Sequence, residues 1–184
     1  MRRTARVSGP SSLDKKRLEK ISGAQYGLLH EFTERGPVDH ATLDAAIAGI
    51  VGDRFHMARS FPQAARALSK SNAAPVRRSA VSRAYDGVYQ AARATLLSKA
   101  RRDEGDHEKL GKDMEGLKGL PATAGTVLKE LRVRRDEFDY SPYPGPSPRA
   151  PYDEDEIEAI IKESIRQAQG LVRMFQDYLK KDRE

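Results

Sequence analysis

Apolar residues recur along this chain every three or four positions and nowhere alternate over a useful length, so the pattern predicts helices and no sheet. Residues 11–35 read as a polar, weakly amphipathic helix (Leu18, Ile21, Leu28, Leu29, Phe32), closed by the stop signal Gly36-Pro37. Asp39 is a suitable N-cap for a second helix with Leu43, Ile47, Ile50 and Val51 on one side, although Gly49 and Gly52 weaken its helix propensity. Further on, Ser60 and Gln63 fit a capping box with Pro62 in the first turn, which starts a new helix there. The rival reading is one longer helix kinked at Pro62.

The strongest periodicity lies between Ser79 and Lys99, where Val81, Tyr85, Val88, Ala92 and Thr95 mark one face, flanked by Ala80, Ala84, Gly87, Ala91 and Ala94. Such small residues let neighbouring helices approach closely. After the loop "RRDEGD", a short helix is predicted from Asp106 to about Gly119, with His107, Leu110, Met114 and Leu117 on its apolar side. The next helix begins near Thr123 and presents Val127, Leu128, Leu131 and Phe138. At about 100° per residue, Arg135 falls inside that apolar arc and Arg134 at its edge. A charge so placed needs a partner, and Asp136, Asp139 and Asp86 are the candidates. "SPYPGPSPRAP" cannot continue a helix. The last helix, Asp153 to Lys181, opens with acids suited to the helix dipole and carries Ile157, Ile161, Ile165, Ala168, Val172, Phe175 and Leu179.

This pattern predicts an all-α protein, with a bundle over residues 39–184 and a basic helical extension over 1–38. The 184 residues, 38% of them hydrophobic, suffice for one core but are short for two. There is no cysteine, which excludes disulfides and thiolate metal sites. No apolar run approaches membrane-spanning length, and "MRRTARVSGPSS" lacks the apolar centre of a signal peptide, so a cytoplasmic location is expected.

The formal charge of +6 makes a polyanion such as RNA a candidate partner. The basic stretch Arg77 to Arg102 holds Arg77, Arg78, Arg83 and Arg93 with a single acid, Asp86. Tyr85 and Tyr89 lie one turn apart beside Arg93, a pattern that can stack bases, although aromatics at helical spacing are more often core. The candidate RNA-binding set is therefore Arg77, Arg78, Arg83, Arg93 and Tyr89. Tyr140, Tyr143 and Tyr152 flank the proline loop and are expected to be accessible. No phosphate loop, HExxH or GxSxG occurs, and His30, His40, His56 and His107 lack metal-ligand spacing. No metal or cofactor is expected, and His107 reads as a packing and capping residue.

Three ordered elements resemble the HEPN superfamily over about residues 53–184. "SAVSRAYDGVYQAARATLLSK" is similar to its signature helix, "DHEKLGKDM" to the Thr-His segment that follows, and "LRVRRDEFDY" to its Arg-x-x-Ala-Asp-Tyr element, with Phe138 in the alanine position. The final helix fits the closing helix of the same group. The resemblance implies an up-and-down bundle of four to five helices, a homodimer, and a place in prokaryotic defence or toxin–antitoxin systems, with a nucleotidyltransferase or antitoxin as protein partner. Many such proteins are metal-independent ribonucleases whose motif is Arg, four to six residues, then His. Carried over, the arginine is Arg135, or Arg134 with one more residue of spacing, and Tyr140 stands in the histidine position. Tyrosine, with a pKa near 10, is a poor base at neutral pH. Three readings follow: a structural or partner-binding element, RNA binding without cleavage, or an active ribonuclease. On the second and third, Arg135, Arg134 and Tyr140 form the site.

Overall fold

The protein is described from a computed structural model that covers residues 40–142, 144–146 and 151–181. The helix expected over 11–35, the Asp39 cap and Tyr143 lie outside those residues. Five helices make up the described chain: α1 (His40–Leu68), α2 (Ala74–Ala100), α3 (His107–Glu115), α4 (Thr123–Tyr140) and α5 (Glu154–Lys180). The all-α expectation holds, and among the described residues there is no strand.

The helix with the strongest periodicity is the centre of the bundle. α2 packs on α1, α4 and α5, and Val81, Tyr85, Val88, Ala92 and Leu97 are fully buried. Its row of alanines gives it a slim profile against all three neighbours, and the β-branched Thr95 satisfies its hydroxyl on the Ala91 carbonyl at 2.9 Å. α5 meets it with Ile161, Ile165, Ala168, Val172 and Phe175, the stripe read from the sequence. Asp153 caps α5 in a reciprocal capping box with Glu156, which ties down two backbone N–H groups at its start. None of the described helices is long and apolar enough to cross a membrane.

Pro62 does not start a helix. α1 runs through it from His40 to Leu68, and the Ser60 hydroxyl donates back to the Met57 carbonyl at 2.8 Å instead of capping forward. An interior proline leaves the carbonyl four residues earlier without its helical donor, at a cost of about 3 kcal/mol. Packing offsets that cost. At Gly87 of α2, an added Cβ would lie 2.9 Å from the Ala58 carbonyl oxygen and 2.9 Å from Pro62 Cδ. The missing side chain is the room in which the proline ring sits, and the proline therefore belongs to the α1–α2 interface. The local capping signal was overruled by a contact 25 residues away in sequence.

α2 ends at Arg101, in the left-handed conformation with φ 51°. That turn sends the chain back along α2 and places Asp103 beneath it. Asp106 then caps α3 by accepting from the Glu108 and Lys109 amides at 2.8 and 2.9 Å.

Candidate functional site

α2, α3 and the C-terminal half of α4 converge on a polar cluster. The buried Tyr85 hydroxyl lies 2.5 Å from His107 Nδ1, and the Tyr89 ring stacks on His107 at 4.3 Å between centroids. Arg135 reaches Asp136 at 2.9 Å through Nη1 and Asp139 at 3.1 Å through Nε, and its guanidinium sits 5.4 Å from the centre of the Tyr140 ring. Asp139 also accepts a hydrogen bond from the Ser82 hydroxyl. Arg135 thus finds two of the three carboxylates its sequence position demanded; the third, Asp86, pairs with Arg83 at 3.1 Å.

Titration follows from this packing. Burial raises the Tyr85 pKa, reinforced by Tyr89, so the phenol keeps its proton throughout the neutral range. Burial also lowers the His107 pKa, with the positive charge of Arg135 adding to it. Burial pushes the Asp86 carboxyl up, against the pull of Arg83. For Arg135 burial works against the charge, but hydrogen bonding to Asp136 and the negative charge of Asp139 hold its pKa above the usual value. A phenol that stays protonated donates to His107 Nδ1, which places the imidazole proton on Nε2. His107 in this state is a neutral hydrogen-bond donor.

Because the folded pKa of His107 lies below that of the unfolded chain, its contribution to stability is complete above pH 6.5 and is lost as pH falls through the depressed value. The groups that set it are Tyr85, Asp86, Arg132, Arg135 and Asp136. Melting temperature is expected to fall between pH 7 and pH 5 in the wild type, and to fall less steeply in His107→Phe. An equally steep decline in that variant would exclude His107 as the source.

The residues picked from sequence separate in space. Arg134 does not lie beside Arg135 and Tyr140. It is rotated about 100° around α4 and donates to Gln167 of α5 at 2.8 Å. Tyr140 is 72% exposed, as expected, whereas Tyr152 packs on Phe138 with centroids 6.5 Å apart and is half-buried.

The five residues picked for RNA are engaged within the chain. Arg77 pairs with Glu154, while Arg78 donates to the carbonyls of Phe138 (2.9 Å), Ser141 and Pro142 and so closes the C-terminus of α4. Arg83 is held by Asp86 and lies over the Phe61 ring. Tyr89 donates its hydroxyl to the Gly105 carbonyl at 2.8 Å and covers His107.

Arg93 belongs to a cluster that sequence reasoning missed. Both Asp103 oxygens accept from Arg54, at 2.9 and 3.0 Å, and both also accept from Arg93. The side chains of Arg54 and Asp103 are only 3% and 4% exposed. A signal existed. Arg54 lies one turn beyond Ile50 on the buried stripe of α1, where a charge demands an acid, but only the turn at Arg101 reveals which one.

No group of acids and histidines among the described residues can hold a metal ion. No family model, curated protein or solved structure matches the chain.

Proposed function

We propose that this chain is a non-cleaving, dimeric helical module resembling HEPN proteins of prokaryotic defence or toxin–antitoxin systems, with Arg135-x4-Tyr140 as a degenerate ribonuclease centre. The observation that carries this reading is the state of Arg135. Its Nε and Nη1 are committed to Asp139 and Asp136, so phosphate could use either fork of the guanidinium only by displacing one of the two carboxylates. The proton-transfer groups argue the same way. Tyr140 replaces the histidine of the motif, and His107, with Nδ1 occupied by Tyr85, presents a proton at Nε2 where a base needs a lone pair.

Dimerisation finds its support on the outer face of α4. Val133 and Tyr140 are 58% and 72% exposed, two turns apart, and the Arg135 guanidinium, paired with Asp136, lies against the Tyr140 ring. A two-fold contact brings one patch against its own copy, which suits a surface carrying both signs of charge. A nucleotidyltransferase or antitoxin protein, as the HEPN resemblance implies, would bind the assembled pair.

Light scattering at micromolar concentration is expected to give the mass of two chains for the wild type and of one chain for Val133→Glu. Val133→Glu should keep the wild-type helical circular-dichroism signal, since the side chain faces solvent within each copy. Arg135→Ala should lower stability by about 1 kcal/mol, the scale of a partly exposed ion pair. A monomeric wild type would overturn the dimeric reading.

A further inference from the structure

We propose that the groove between α1 and α5 binds single-stranded nucleic acid through its phosphates. This site is remote from the α4 centre and independent of whether Arg135 cleaves. α1 and α5 run antiparallel here, and two rows of side chains face each other across the groove: Arg59, Gln63 and Arg66 on α1, and Gln176, Arg173 and Gln169 on α5. Each row is spaced by one turn and then another, so each stays on one helix face. Arginine stands opposite glutamine at every level, and Arg66 donates to Gln169 at 2.8 Å.

No acid lines the groove, whose volume is about 320 Å³, and no carboxylate among the described residues pairs with Arg59, Arg66 or Arg173. In this respect they differ from Arg54, Arg77, Arg83, Arg93, Arg102 and Arg135, each of which has an internal acid. Three exposed guanidinium groups without counter-charges repel one another, which an incoming polyanion would relieve.

The arrangement is a track. Along the α1 axis, Arg59 and Arg66 are about 10 Å apart with Arg173 at an intermediate level, giving steps of about 4 to 6 Å from the helical rise. Those steps exceed the ~3.4 Å rise of a stacked duplex strand, as an extended single strand requires. Beyond Arg59 and Gln176 the groove passes onto an apolar stretch with Val51, Phe55 and Leu179, so the track is confined to the span from Arg59 to Arg66. A single phosphate would call for converging arginines, whereas a linear row suits a regularly charged chain. Between the arginines the floor offers only Ala58, Pro62 and Val172, with little to anchor an apolar side chain of an acidic protein segment. Glutamine amides both donate and accept, which matches ribose hydroxyls and base edges.

The test is fluorescence anisotropy of a labelled oligouridylate with the full chain, titrated at several salt concentrations. Wild-type affinity is expected to fall with salt. The variant R59Q/R66Q/R173Q should bind at least about tenfold more weakly, with a log–log slope shallower by about 2, since each phosphate contact on a single strand contributes about 0.7. R59K/R66K/R173K should retain the wild-type slope, and R77Q/R83Q, which alters arginines already paired within the chain, should retain wild-type binding. Melting curves establish that each variant is folded. Absence of wild-type binding, equal binding by R59Q/R66Q/R173Q, or displacement of the oligonucleotide by polyglutamate of matched charge would each overturn the proposal.

Discussion

Replacing Asp103 with alanine is expected to lower the unfolding free energy by about 3–5 kcal/mol, a large share of the 5–15 kcal/mol that holds a domain together. The carboxylate receives both Arg54 and Arg93, and two of the three groups are almost wholly removed from water. Alanine leaves two guanidinium ions facing each other without the acid that neutralises them. Asp103→Asn, which keeps the shape and loses the charge, should fall between alanine and wild type. Arg77→Ala, by contrast, should cost less than about 1 kcal/mol, because its partner Glu154 is 68% exposed.

The triad also fixes the acid limit of the fold. Burial opposes ionisation of Asp103, but the hydrogen bonds and positive charge of Arg93 and Arg54 prevail and hold its pKa below that of a free aspartate. The resulting stabilisation is complete above about pH 4 and is lost as pH falls through the depressed folded value. Urea unfolding of wild type, Asp103→Asn and Asp103→Ala at pH 7 and pH 3.5 measures both effects. A loss below 1 kcal/mol for alanine at pH 7 would show that Arg54 is stabilised by something other than this carboxylate.

The second large effect is expected at Gly125, where α4 crosses α3. A Cβ at this position would lie 2.7 Å from the Gly111 carbonyl oxygen and 2.3 Å from the Glu115 side chain. The backbone oxygen cannot move without α3, so alanine should cost about 1–3 kcal/mol and valine more. Gly111 is the contrasting case. Its Cβ would meet only the flexible side chain of Lys129, so Gly111→Ala should be tolerated far better. Gly125→Ala also displaces the helix that begins at His107, and should therefore loosen the Tyr85 hydrogen bond. Two-dimensional NMR of the histidine side chains would register this as a His107 pKa shifted back toward 6.5. Unchanged stability and an unchanged His107 pKa would mean that the two helices are free to separate.

Helix positions and core faces were largely legible in the sequence, because helical periodicity is local. The apolar stripes of α2 and α5 could be read residue by residue, whereas the capping role read for His107 falls to its neighbour Asp106. Of the two readings of Pro62, the single long helix holds, because the cost of the proline is offset by Gly87, across the bundle. The charged residues were the least legible. Arg135 was rightly assigned to a carboxylate pair, since both acids lie within four residues on the same helix. Arg93 and Arg83 looked like a free basic surface because sequence shows the charges and hides their partners: the decisive acid for Arg93 arrives through the left-handed turn at Arg101. The groove arginines, Arg59, Arg66 and Arg173, are split between two helices more than 100 residues apart in sequence, and only their antiparallel packing brings them together.

On the function proposed above, Arg135 sits in a centre that does not cut RNA. The most direct test of this is the incubation of purified wild-type protein with a labelled single-stranded RNA at pH 7.5 in excess chelator, followed on a denaturing gel. The account predicts that the RNA remains full length, with no difference between wild type and Arg135→Ala. Cleavage by the wild type that disappears in Arg135→Ala, while both proteins stay folded and keep the same oligomeric state, would contradict it.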